Sequence, residues 1–190
     1  MTTMGAAGRF PQGLSRDRVA NFGCIALALG LAWALKAFYS RADFESLMWV
    51  LSPTRRLVQW LTAVRFEPEP GQGYLSRDRL YLIAPACAGV NFMIIAFVSL
   101  VAGLVHTRNT LPGRLALLVG SGLAAYGATV LANGARIALA LKLHAAGATF
   151  GPLTADRLHC AVGVTVYLVF LFALFAAAVR VTGANRDLAF

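Results

Sequence analysis

The chain alternates between long apolar runs and short segments that gather almost all of its charge. The first run covers residues 19–39 and follows Arg9, Arg16 and Arg18. It is long for the apolar core of a cleaved signal, and no small-residue cleavage site follows it. Lys36, near its far end, reads as a residue that snorkels to the interface, so the run is expected to stay as a helix. Further runs cover about 86–105, 115–132 and 159–181. Each approaches the roughly 20 apolar residues that a helix needs to cross the hydrocarbon.

The segments between them read differently. In 44–66, Phe44, Leu47, Met48, Leu51, Val58, Trp60, Leu61 and Val64 are mixed with Glu45, Arg55, Arg56 and Arg65, and Pro53 interrupts the middle. This pattern predicts one or two amphipathic pieces lying in the interface. The stretch FEPEPGQGY, 66–74, reads as a loop by its Pro and Gly content. Residues 133–146 predict a half-helix or interfacial helix. Within the third run, Gly120, Gly122, Ala124 and Gly127 predict close approach of helix backbones. The expected fold is an all-α polytopic membrane protein, one domain over 1–190, with four main spans, interfacial helices and an outer-face loop.

Composition strengthens this picture. Of 190 residues, 58% are hydrophobic and 13% charged, against about 45–50% apolar and about 25% charged in soluble domains. The net charge of +9 does not point to nucleic acid, because basic residues beside spans orient them and attract anionic lipid. Positive excess falls in the N-terminal tail, in the loop holding Arg108 and Arg114, and in the C-terminal tail with Arg186. In 40–86, by contrast, Asp43, Glu45, Glu67, Glu69 and Asp78 nearly balance the arginines. The consistent topology has both termini in the cytoplasm, with 40–86 and 133–157 on the outer face.

That topology places three residues of catalytic type at one depth. Cys87 opens the second span, Arg136 lies just past the third, and His159 opens the fourth. A nearby cation favours the thiolate, which is the effective nucleophile. His159 suits general acid–base work, whereas Arg136 keeps its proton and suits an oxyanion. Each has a plain alternative: Cys87 as a small buried hydrophobe, Arg136 as a snorkelling cation, His159 as an interfacial polar residue, or Cys87 joined to Cys160 as a disulfide. Asn91 stands four residues after Cys87, on the same face if that stretch is helical, and Asn133 stands three before Arg136, placed to orient its guanidinium. Their alternatives are interhelical hydrogen bonding and helix capping. Tyr81 and residues 74–79 are candidate walls. Cys24, Cys87 and Cys160 show no CxxC spacing, so no metal or other cofactor is expected.

The blocks APACAGVNF (84–92), NGAR (133–136) and LHC (158–160) resemble, in order and spacing, the three signatures of the exosortase/archaeosortase family. The resemblance covers about 74–175, and the short CAGVNF-bearing form is most similar to exosortase K. It implies an integral-membrane cysteine peptidase or transpeptidase of the bacterial inner membrane, acting at the outer face. Cys87 is then the nucleophile, His159 the general acid/base and Arg136 the stabiliser of the transition state, with Asn133 and Asn91 in support. The implied partners are exported proteins with a C-terminal motif, a transmembrane helix and a basic cluster, together with membrane lipid and an acceptor nucleophile. Larger family members carry spans that this chain lacks. Pro68-Glu69-Pro70 spells a motif found in many such substrates, but mid-chain it reads as a stiff loop. The rival readings are a non-catalytic four-span scaffold or transporter subunit, a rhomboid-like serine peptidase using Ser121, and a haem carrier using His106 and His159.

Overall fold

The computed structural model describes residues 13–78, 80–145 and 155–187, with side chains over 16–78, 80–145 and 160–183. Five helices dominate: α1 (Gly13–Tyr39), α2 (Met48–Thr62), α3 (Val90–Leu104), α4 (Leu111–Ala145) and α5 (Ala155–Asp187). Four segments are long and apolar enough to cross a membrane: Arg16–Tyr39, Pro85–Thr107, Leu111–Ala145 and Cys160–Gly183. The all-α polytopic fold follows from those uninterrupted apolar runs, since only a helix satisfies its backbone within such a segment.

The amphipathic segment after α1 forms one short 3₁₀ turn, Glu45–Leu47, and then the single helix α2. Its 15 residues reach about 22 Å, short of the ~30 Å hydrocarbon. Val50, Leu51, Thr54 and Val58 recur at helical spacing and bury one face, chiefly against α4. Pro53 lies inside α2 without ending it. Its missing N–H leaves the Trp49 carbonyl, four residues back, without an intrahelical donor. The Tyr126 hydroxyl on α4 donates to that carbonyl at 2.9 Å, and the two rings stack at 5.7 Å.

The expected loop at 66–74 is instead the first half of a small antiparallel sheet of order β1–β2–β3: Glu67–Glu69, Gly73–Ser76 and Tyr81–Ile83. Strands this short carry no readable alternation. Gly71, at φ +71°, supplies the turn, and Pro68 is tolerated because β1 is an edge strand. Tyr74 anchors the sheet on α2. Its hydroxyl meets Ser52 Oγ at 2.6 Å, its ring lies 4.7 Å from the Arg55 guanidinium, and Arg55 Nη1 donates to the Phe66 carbonyl.

Two further expectations change. Residues 133–145 do not form a separate piece, because α4 runs unbroken for 35 residues, about 52 Å. Gly134 does not end it. A Cβ there would stand 2.5 Å from Leu57 Cδ2, so the bare Cα is where α2 seats on α4. Gly120, Gly122 and Gly127, expected to pack, face open space with nothing within 4 Å of an added Cβ. The close approaches occur elsewhere, as at Gly103 of α3, where a Cβ would meet the Phe175 ring of α5 at 2.5 Å.

The bundle buries two clusters. One gathers Cys24, Ala28, Leu100, Leu104, Leu117 and Leu118, from the middle of α1, the end of α3 and the first turns of α4. The other gathers α2, the sheet, the start of α3 and the middle of α4 around Leu47, Leu51, Ile83, Val90, Ala132 and Ile137.

Candidate active site

β3 leads through Ala84 into a 3₁₀ turn, Pro85–Ala88, in which the Cys87 N–H donates to the Ala84 carbonyl at 2.8 Å. Gly89, at φ +70°, then reverses the backbone and caps the start of α3. A Cβ at Gly89 would stand 3.1 Å from Thr129 Cγ2 and 3.4 Å from both Asn133 Cγ and the Tyr167 hydroxyl. Both the left-handed backbone and the crowding call for glycine. Cys87 therefore sits on a half-buried turn ahead of the helix, not on it.

Asn133 is fully buried in the middle of α4, so it is no helix cap. Its Nδ2 donates to the Cys87 carbonyl, and its Oδ1 accepts from the Tyr167 hydroxyl of α5 at 3.0 Å. One amide thus ties the cysteine turn to α4 and α5. The Tyr167 ring in turn stacks on Phe92 of α3, centroids 5.0 Å apart. Arg136, less than one turn beyond Asn133, lays its guanidinium 5.5 Å from the Tyr167 ring centroid, a favourable cation–π distance. Gly163 of α5 leaves room for it: a Cβ there would stand 3.3 Å from Arg136 Cδ and 3.5 Å from Nη1. Arg136 Nε is buried and has no hydrogen-bond partner among the described residues.

His159 belongs to the opening turns of α5, four residues before Gly163. Its side chain lies outside the described ones, so its proposed role has no geometry here. Asn91 does not share a helical face with Cys87, because Gly89 breaks the backbone between them. Its Oδ1 accepts from Lys36 Nζ at 2.8 Å, joining α3 to α1. No disulfide joins Cys87 to Cys160; the three cysteines are free, with Cys24 buried and Cys160 exposed.

The phenols of Tyr39, Tyr81 and Tyr167 all lie within charge-interaction reach of both Cys87 and Arg136. For Tyr81, on β3 outside the spans, burial pushes the phenol above its ordinary range, a charge on Cys87 adds to the shift and the Arg136 guanidinium opposes it. Directly across the sheet from Tyr81 stands Ser76, whose buried hydroxyl has no partner among the described residues. Tyr167, Tyr39 and Gly163 are additions that residue types alone do not single out. Tyr167 had one readable signal: a phenol within an apolar span needs a hydrogen-bond partner. Ser121 is buried within α4, three turns before Asn133, and His106 is exposed in the turn at the opposite end of α3 from Cys87. Neither belongs to this cluster.

The arrangement offers a half-buried thiol on a turn whose carbonyl Asn133 holds, and a guanidinium on the Tyr167 ring that the same Asn133 bonds. Comparison of the chain with models of known families, with curated proteins and with solved structures finds no match.

Proposed function

We propose that the chain is an exosortase-like membrane thiol peptidase or transpeptidase that cleaves C-terminal sorting signals of exported proteins. The observation that carries the reading is the Asn133 amide, which bonds the Cys87 carbonyl and so joins two of the resembling sequence blocks, and which accepts from Tyr167 on the helix that the third block opens. A neutral, fully buried asparagine with both ends bonded fixes a turn in a way that simple packing of Cys87 does not require.

In this reading the active site lies at the outer face of a bacterial inner membrane, with both termini cytoplasmic. The substrate's anchor helix lies against the spans and brings its scissile bond to Cys87. The thiol gives its proton to His159, and the Cys87 sulfur attacks the scissile carbonyl carbon. Arg136 holds the oxyanion. Collapse breaks the C–N bond, His159 returns the proton to the leaving amine, and a thioester remains. An amine, a hydroxyl or water then attacks the thioester, losing its proton to His159, and the thiolate leaves and is reprotonated.

The test follows a substrate bearing a C-terminal anchor in membranes that contain the wild type, Cys87→Ala or Cys87→Ser. Loss of cleavage in both variants at unchanged expression supports the thiol mechanism, and a trapped thioester completes it. Cleavage that survives both changes removes that mechanism and leaves the four-span scaffold as the better reading.

A further inference from the structure

At the end of the bundle away from Cys87, an apolar groove of about 480 Å³ opens between α3, α4 and α5. Leu100 and Leu104, Leu117 and Ala124, and Leu174 and Ala178 form its three walls, and the open glycine Gly120 forms part of its floor. Arg108 stands at one end. We infer that this groove binds an anionic phospholipid, with one acyl chain along the groove and the phosphate on Arg108.

Three observations select that occupant. The first is length. From Gly113 to Ala124, its extent along α4, the groove covers about 16 Å, half of the ~30 Å hydrocarbon and so one leaflet. A transmembrane helix needs a groove through the whole thickness. The second is charge. Arg108 is half-buried and its side chain makes no hydrogen bond or ion pair among the described residues, whereas the neighbouring Arg114 side chain is engaged by Asp17 and Asn21. A cation without an acid at the edge of an apolar groove attracts an anionic headgroup and repels a helix that ends in basic residues. The third is the floor: Gly120 has no neighbour where a side chain would stand, so the protein leaves the groove open at that point.

The site is independent of the catalytic reading, and so is its test. The full chain, purified in detergent, is exchanged into mixed micelles of phosphatidylglycerol and phosphatidylcholine, and the lipid retained is counted by native mass spectrometry. Phosphatidylglycerol is expected to be retained about fivefold in preference, the factor for one cation facing an anionic headgroup. Arg108→Gln should erase the preference while some lipid still binds. Gly120→Leu, which has open space for its side chain, should lower retention of both lipids. Equal retention of the two lipids by the wild type, or a preference that survives Arg108→Gln, overturns the headgroup assignment. Retention unchanged by Gly120→Leu overturns the groove.

Discussion

Where α1 and α4 begin, a charged pair bridges the two helices beside an apolar cluster. Arg114 donates to Asp17 at 3.2 Å and to Asn21 at 3.0 Å, with the acid half exposed. Around Cys87 the same bundle uses neutral groups. Asn133 and Tyr167 pass hydrogen bonds between α4, α5 and the cysteine turn, and Gly89 and Gly163 let backbone meet side chain. The difference lies in tolerance. A partly solvated ion pair contributes little and can shift, whereas a buried neutral relay loses heavily if one member is left unpaired. The Cys87 end is built to hold one geometry, and the Arg114 pair tolerates change.

The contrast can be broken or sharpened by substitution. The largest expected effect is Cys87→Ala, which should cut cleavage of an anchored substrate by roughly a thousandfold or more with the fold intact, as removal of a nucleophile does. Gly89→Ala comes next. The left-handed backbone and the contact with Thr129 should cost about 1–3 kcal/mol of stability, visible as a lowered unfolding midpoint in detergent, with activity falling too. Tyr167→Phe keeps the ring on Phe92 but removes the hydroxyl from Asn133. About 1 kcal/mol of stability should be lost, with a fall in activity larger than that loss explains. Asp17→Asn at the other end should change stability by less than about 1 kcal/mol and leave cleavage unchanged. Smallest, and of opposite sign, Gly120→Ala should stabilise by about 0.5–1 kcal/mol, because a helical glycine gains from a methyl that meets nothing. Thermal unfolding of the five variants beside an activity assay would order them; equal sensitivity at both ends would erase the distinction.

Much of the fold was legible because membrane spans announce themselves. The runs at 19–39, 86–105 and 159–181 lie within, or nearly match, Arg16–Tyr39, Pro85–Thr107 and Cys160–Gly183, since an apolar run of that length has few other uses. The third boundary was misread because Asn133, Gly134 and Arg136 look like a helix end. They remain helical because Leu57 fills the glycine's gap and the relay satisfies the asparagine. The sheet was illegible because three- and four-residue strands leave no periodicity to detect. The small residues of α4 show the limit of composition: it reveals that backbones are bare, but not which bare surface is packed and which is open. At the site, residue type and topology single out Cys87, Arg136 and His159 with Asn133 and Asn91 in support, but not the bond from Asn133 to the Cys87 carbonyl. Asn133 was expected to orient Arg136 and instead holds the Cys87 turn, because its contacts depend on how α3, α4 and α5 come together.

The unbroken course of α4 makes the helix a ruler. Arg136 lies 25 residues after Leu111, where the helix begins, a rigid height of about 37 Å against a hydrocarbon of about 30 Å. With the start of α4 at one boundary and the helix upright, the Arg136 Cα clears the other by about 7 Å. A thicker bilayer would draw that cation toward hydrocarbon, and a thinner one would lift it into water or tilt the helix. Membrane thickness is therefore an environmental variable to which the depth of this arginine is mechanically geared.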